Sequence, residues 1–487
     1  MKNIAVLGTG SDVGKSLIAA AICKVLAEDG HPAAPFKAQN MSNNSGVTPE
    51  GLEMGRAQIV QAQAAGILPH TDMNPILLKP TGEKKSQVVL NGRVHGDASA
   101  LDYHRDKQYY FQEACRAFDR LSSRYDPIVL EGAGSCAEVN LMPSDIVNFK
   151  MAEYAMADVI LVADIHRGGV FAQIVGTLAC LPEKYRAMIK GFIINRFRGD
   201  IRLFQEGTDW IEQQTGKRVY GVLPWATEFR IDAEDSVELE TIPRTTDLRA
   251  DLPAIGIIRL PHISNFTDFH PLTEVEGLQT AYIETDSDLS GFKAVIIPGS
   301  KNTRSDLQWL SHTGIGNRLL DYAHGDGTIL GICGGYQILG KSVDDPDGLE
   351  GVPGSTKGLG LLDIETRLTS PKTTTMSEFE FNGHTSLGYE IHMGKTTANN
   401  SSGLTRIRSR NGKSCNEMDG SVSSVYRVSG TYLHGFFDAP ELLAAWLETL
   451  GIKGLQLPKI SAAQKKENDY QRLKAHFEAH VDLSFIM

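Results

Sequence analysis

Gly8-Thr9-Gly10-Ser11-Asp12-Val13-Gly14-Lys15-Ser16 stands between a short apolar run, Ile4-Ala5-Val6-Leu7, and a segment in which Ile18, Ile22 and Val25 recur at i, i+4 and i+7. Strand, glycine-rich turn and helix in that order make one βα unit. Gly30 lies where a helix C-terminal cap is expected, so the pattern predicts a helix over residues 15 to 29. A turn of this kind directs backbone N–H groups at an anion, and the helix N-terminus adds positive potential. Lys15 then reaches the terminal phosphates of a nucleoside triphosphate, and Ser16 is placed to ligate Mg2+. Gly8, Thr9, Gly10, Gly14, Lys15 and Ser16 are the expected ATP-binding loop. The spacing departs from GxxxxGK[ST]: Thr9 occupies the position five before Gly14, and the glycine is one further back, at Gly8.

Outward from this unit, short apolar runs rich in β-branched residues alternate with helical patterns. The runs are Pro127 to Leu130, Val159 to Val162, Gly191 to Ile194 and Val219 to Val222, which predicts a parallel α/β sheet buried on both faces. From Ala226 to Asp251 the chain turns acidic and loses long apolar runs, as a connection between domains would. Strand-like runs restart at Ala254 to Ile258, Ala294 to Ile297 and Thr328 to Leu330, so a second α/β domain is expected. The stretch from Thr396 to Ser424, rich in Ser, Thr, Asn and Gly, predicts a surface loop or hairpin. Tyr470, Leu473, Phe477 and Val481 give the C-terminal segment one apolar helical face that packs back onto the body.

Composition bounds the partners. The 487 residues exceed what one hydrophobic core usually organises. Against 48 Lys and Arg stand 59 Asp and Glu, a formal net charge of −11, so the global field repels nucleic acid and anionic membrane and any anion must be held by a local site. No apolar run is long enough to span a bilayer, and no export signal is read at the N-terminus. The 6 cysteines are widely spaced without a CxxC pair, which argues against a disulfide framework or structural zinc and points to a reducing, cytoplasmic setting. The sequence leaves open whether the chain forms a homo-oligomer.

Polar residues at the other strand ends extend the first site. Glu131 follows the strand ending at Leu130 and is placed to meet a metal beside Ser16; a loop or capping carboxylate would look the same. Glu53 is a second candidate metal ligand. Lys37 follows another apolar run and would bring positive charge to a transferring phosphoryl group, as against an ordinary surface lysine. Asn195 and Arg196 end a strand and are placed to read an adenine edge, as against a plain turn.

A second constellation lies in the other half. Leu330-Gly331-Ile332-Cys333-Gly334-Gly335-Tyr336-Gln337 follows a strand and carries glycines on both sides of a cysteine. This is the pattern of a nucleophile elbow, in which small neighbours permit a strained turn and the next N–H, that of Gly334, serves as an oxyanion donor. Cys333 is the candidate nucleophile, against the commoner fate of a buried structural cysteine. A thiol needs a base. His434 and His392 both follow apolar segments, and periodicity does not choose between them. Gly299, in the loop after the strand Ala294 to Ile297, is a candidate second oxyanion donor.

Together these residues resemble a known family. The second half resembles a class I glutamine amidotransferase domain, and the longer GTxxxVGK[ST] loop resembles that of dethiobiotin synthetase and its ATP-dependent amide-forming relatives. The pairing in this order resembles the cobyrinate amidases. Within them, Phe36-Lys37-Ala38-Gln39-Asn40-Met41-Ser42-Asn43-Asn44, Asn74-Pro75-Ile76-Leu77-Leu78-Lys79-Pro80, Gln87-Val88-Val89 and the segment Glu131 to Leu141 are similar to the cobyric acid synthases, over residues 1 to about 445. With the boundary that composition places near residue 250, the expected organisation is an ATP-dependent synthetase domain at 1–230, a linker at 231–250, a glutamine amidotransferase domain at 251–445 and a helical tail at 446–487, the resemblance supplying the two domain identities. The resemblance implies amidation of the b, d, e and g carboxylates of a corrinoid, adenosylcobyrinic acid a,c-diamide, with ATP, Mg2+ and glutamine. Carried over by position, Cys333 is the glutaminase nucleophile and His434 its base.

Two departures accompany the likeness. Class I domains place a Glu two residues after the His, where this chain has Phe436, so His434 must be oriented by something else. Asp164-Ile165-His166-Arg167-Gly168-Gly169 has His166 where the family usually has Asp. Other readings stand beside this one: a cobyrinic acid a,c-diamide synthase, a P-loop nucleotide switch with a non-catalytic second domain, and a degenerate amidotransferase domain used as an interaction module.

Overall fold

Ile4–Gly8 is buried along its whole length, as a strand covered on both faces must be. In the computed structural model it is an inner strand of a six-stranded sheet that runs, in spatial order, Arg218–Pro224, Ile189–Phe197, Asp158–Asp164, Ile4–Gly8, Ile128–Glu131, Ala34–Phe36. Every pairing is parallel. The structure describes all residues except 83–84, 233–247, 250, 285–286, 400–401 and 487. The expected linker at 231–250 therefore lies mostly outside the described residues.

The predicted first helix is present as Lys15–Glu28, with Gly30 at φ 82° just beyond it. Its apolar residues Ile18, Ile22, Val25 and Leu26 join a core formed with Ile4, Val6, Ile160 and Ile193 from one face of the sheet. Leu7, Leu130, Leu161 and Phe192 pack into a second core with Phe36 and Phe118. Alternate residues of each strand thus feed opposite layers, which explains the near-continuous hydrophobicity of the runs.

The second half is a second α/β unit. Its sheet runs Gln279–Ile283, Ala254–Ile258, Ala294–Ile297, Thr328–Ile332, Val428–Thr431, Ser421–Val422, parallel except at the last pair. Beside it lies a five-stranded antiparallel sheet of Lys413–Asp419, Thr405–Arg410, Thr373–Phe381, His384–His392 and Leu433–His434. Within the Thr396 to Ser424 stretch, Thr405–Arg410 and Lys413–Asp419 form a hairpin. Asn411 and Gly412 at its tip have φ of 48° and 74°, the pair of positive angles that an Asn-Gly turn supplies. One core, from Ala254 to Ile452, fills this half.

The helix Ala462–His480 carries the C-terminal apolar face. Tyr470, Leu473, Phe477 and Val481 pack into the first half, in the core that holds Ile18, Ile22 and Val25. Lys24 pairs with Glu467 at 2.6 Å on the same seam. The end of the chain is thereby fastened to its beginning.

Candidate active sites

The phosphate loop is closed by short-range sterics. A Cβ on Gly8 would stand 2.8 Å from Val13 Cγ2, and one on Gly14, at φ 96°, would stand 2.1 Å from Asn195 Nδ2. Asn195 donates to the Val13 carbonyl at 2.9 Å, while Arg196 bonds the Asp12 carbonyl at 2.7 Å and Asp164 Oδ2 at 3.0 Å. Both strand-end residues thus brace the loop, Asn195 from beneath Gly14 and Arg196 through Asp12. Lys15 Nζ donates to the carbonyls of Gly10 and Gly134, each at 2.9 Å, so it spans the loop and the Glu131-to-Ser135 turn. Thr9 N–H is bonded to the Val162 carbonyl, and the Thr9 hydroxyl lies 3.4 Å from Gln173 Oε1.

Glu131 is the hub of this site. Its Oε1 accepts from Ser16 Oγ at 2.7 Å and Lys37 Nζ at 2.9 Å, and its Oε2 from Gln61 Nε2 at 2.5 Å and Gln58 Nε2 at 3.3 Å. Burial works against its charge, but Lys37 beside it, with Gln61 and Ser16 donating, holds its carboxyl below the usual carboxylate range. A hydroxyl and a carboxylate at the mouth of a phosphate loop are hard oxygen donors, the set Mg2+ prefers. Among the described residues no group of three or more His, Cys, Asp or Glu could hold a metal. Ser16 and Glu131 are residues that would suit a Mg2+ ion, to which a bound nucleotide would add further oxygens. Glu53 belongs to neither: its Oε1 accepts from Lys79 at 2.7 Å and Ser45 at 2.8 Å, and its Oε2 from Lys372 at 2.8 Å.

In the second half Cys333 sits on the turn between Thr328–Ile332 and the short helix Gly334–Ile338, at φ 53° and ψ −108°. The flanking glycines are required by contact. A Cβ on Gly335 would come 1.9 Å from the Ile297 carbonyl, and one on Gly334 2.7 Å from Ser300 N. Gly334 therefore packs directly against Ser300, the residue after Gly299. A Cβ on Gly299 would stand 3.2 Å from His434 Cε1. Cys333 lies near enough to His434 to favour its charged form, and its sulfur donates to the Ile391 carbonyl at 3.5 Å.

The two histidines separate by their surroundings. His434 Nδ1 faces Asp268 Oδ2 at 2.6 Å, and Asp268 Oδ1 accepts from the Gly435 N–H at 3.2 Å. Burial opposes the imidazolium, yet the charges and hydrogen bonds of Asp268 and Cys333 lift His434 to about 10. His392 instead stacks on Tyr432 at 3.6 Å, with Glu390 4.0 Å from its Nε2, and burial pulls it below its ordinary value. His434 has the partners of a base.

Comparisons with known proteins agree with both halves. Residues 4–238 match the CobQ/CobB/MinD/ParA nucleotide binding domain, and residues 254–442 match the CobB/CobQ-like glutamine amidotransferase domain. The chain is 48% identical over 488 residues to a cobyric acid synthase of Chlorobaculum tepidum, covering 99% of this chain and 97% of that protein. It is 46% identical to one of Chlorobium phaeobacteroides (99% and 98% covered) and 45% identical to one of Bacteroides fragilis (98% and 96%). The chain belongs to the cobyric acid synthase family.

As a member of the cobyric acid synthases, the chain resolves its two departures structurally. Phe436 is fully buried among Phe379, Phe381 and Phe437, so the position two beyond the base is core and a carboxylate there would be buried without a partner. Asp268 supplies the carboxylate from a different segment, Phe266–Phe269. His166 leans on Trp225 at 4.9 Å, its N–H bonded to Asp164 Oδ1, while Arg198 lies 4.3 Å over the same indole. Sequence reasoning also missed Gln58, Gln61 and Tyr389. Gln58 and Gln61 are three apart on the helix Arg56–Ala64, a spacing that puts both amides on one face, but nothing in their identity announces a carboxylate opposite.

Proposed function

We propose that this chain amidates the b, d, e and g side-chain carboxylates of adenosylcobyrinic acid a,c-diamide, consuming ATP and glutamine for each, and yields cobyric acid. The observation that carries the reading is the joining of Cys333, His434 and Asp268 in one half with Lys15, Ser16 and Glu131 in the other, on a chain related end to end to cobyric acid synthases. Free ammonium is unreactive and a carboxylate is a poor electrophile, so each must be activated.

His434, raised to about 10, holds the proton given up by Cys333, and the sulfur attacks the side-chain amide carbon of glutamine; the developing oxyanion faces the N–H groups of Gly334 and Gly299. The protonated imidazole, stabilised by Asp268, returns the proton to the departing nitrogen as ammonia leaves. Water then cleaves the glutamyl thioester. In the first half, Lys15 and the loop from Gly8 to Gly14 hold the ATP phosphates, with Lys37 adding charge and Asn195 and Arg196 flanking the nucleotide. A corrinoid carboxylate oxygen attacks the γ-phosphorus, ADP leaves, and an acyl phosphate forms. Ammonia attacks that carbonyl carbon and phosphate departs. Mg2+, held by Ser16 and Glu131, would neutralise charge on the transferring phosphoryl group. We place the reaction in the cytoplasm, in keeping with six unpaired cysteines and with no described helix long and apolar enough to cross a membrane.

Mass spectrometry of the corrinoid after incubation with ATP and glutamine tests the whole reading: four successive carboxyl-to-amide exchanges are expected. Cys333→Ala should abolish amidation from glutamine and spare amidation from high ammonium; Lys15→Ala should abolish both. Glutamine cleavage without a new C–N bond would refute the assignment.

A further inference from the structure

We propose that Arg56, a residue of the nucleotide-binding half, is a positioning residue for glutamine hydrolysis in the other half. The inference rests on the reading of Cys333 and His434 as the glutaminase pair. Arg56 opens the helix Arg56–Ala64, and its side chain crosses the seam between the halves. Nη2 donates to the Tyr389 hydroxyl at 3.0 Å and lies 3.4 Å from the Thr267 hydroxyl. Tyr389 lays its ring on the His434 imidazole, with centroids 5.0 Å apart and planes inclined by 17°, and Thr267 immediately precedes Asp268. One guanidinium therefore touches both supports of the base: the ring that packs on its face and the segment that presents its carboxylate.

A second contact from the same half reaches the other ring nitrogen. Asn265, at φ 53°, bonds Asn44 Oδ1 through its N–H at 3.0 Å and accepts from Ser45 N–H at 3.1 Å. Its Nδ2 stands 3.4 Å from His434 Nε2. The Arg56 N–H is bonded to the Asn44 carbonyl, so Arg56, Asn44 and Ser45 form one group bearing on the imidazole from two sides.

The carboxylates of Asp232, Asp268 and Asp438 act on the Arg56 guanidinium through space and favour its charge against burial. Arg56 is half-buried, its Nε is shut off from water without a hydrogen-bond partner among the described residues, and its bonded partners are neutral hydroxyls. Those carboxylates offset the cost of burying a charge, but they do not set where the guanidinium points; its hydrogen bonds do. What this placement achieves is to fix the orientation of His434 relative to Cys333, on which proton transfer depends. The same helix carries Gln58 and Gln61 to Glu131, with a rise of about 7.5 Å separating residue 56 from residue 61. The glutaminase base and the nucleotide-side carboxylate are thus held by one short rigid element.

The test is steady-state glutamine hydrolysis by the full-length protein with ATP and corrinoid present. Arg56→Gln should lower kcat by about tenfold or more with KM within about twofold, and Arg56→Lys should restore part of the loss. Tyr389→Phe, which keeps the ring and removes only the hydroxyl, should lower kcat in the same direction. A folded Arg56→Gln protein with the kcat of the parent would overturn the proposal; if that variant does not fold, an unchanged kcat in Tyr389→Phe overturns it. Cys333→Ala is the reference: if it still hydrolyses glutamine, the nucleophile assignment has failed, whereas an inert Cys333→Ala beside a fully active Arg56→Gln rejects the role of Arg56 alone.

Discussion

Asp268 places one oxygen against the His434 imidazole and accepts with the other from the Gly435 N–H that follows it. It thereby fixes ring orientation and stabilises the imidazolium at once. Replacing it with Asn keeps the shape but removes the charge, and the glutaminase kcat should fall by roughly 10²–10⁴-fold. Kinetics of glutamate release measure this. The same pair has a pH signature. His434 is raised from 6.5 to about 10, so its stabilisation is complete below about 6.5 and is lost as pH rises through 10. The melting temperature of the parent should decline across that window, and that of Asp268→Asn should decline less. Asp268 was not legible as the partner of His434 because it lies 166 positions away, in a segment whose apolar neighbours read as core.

The nucleophile turn is an element whose sequence and geometry agree. A strand, a cysteine in a rarely adopted backbone conformation and two glycines follow in register. The conformation persists because Gly334 and Gly335 let the turn press against the end of the strand Ala294–Ile297. Gly335→Ala sets a methyl 1.9 Å from a backbone carbonyl that cannot yield. It should destabilise the second half by about 3 kcal/mol or prevent folding, as chemical denaturation would report. The phosphate loop obeys the same logic through Gly14 and Asn195. Here the reading of Asn195 as an adenine contact did not foresee the amide's bond to the loop carbonyl, because the two segments are 182 residues apart.

Across the whole molecule, the halves are joined by a buried ionic triplet and by the returning C-terminal helix. Glu53 lies between Lys79 of its own half and Lys372 of the other, with all three side chains nearly shut off from water. Burial works against its charge, but the two lysines hold its carboxyl far below the usual range, so its contribution is present above about pH 4.5 and fades as pH falls. Glu53→Gln leaves two buried lysines without their anion and should cost about 3–5 kcal/mol, seen as a lowered calorimetric transition. Removing residues 462–487 should uncover the apolar face of the helix Lys15–Glu28, lowering the melting temperature and promoting aggregation, which light scattering would follow.

The sequence by itself determined the two parallel sheets, the phosphate loop, the cysteine elbow and the kinship, because periodicity, glycine placement and short motifs are local properties of the chain. Periodicity did not choose between His434 and His392, where only the family likeness pointed to His434; the sequence did not find Asp268 or Arg56, and it assigned Glu53 to a metal. Tertiary structure decided these, since a carboxylate's meaning depends on whether a histidine, a lysine or a hydroxyl is brought against it. That partner comes from a distant segment whose proximity no local pattern encodes.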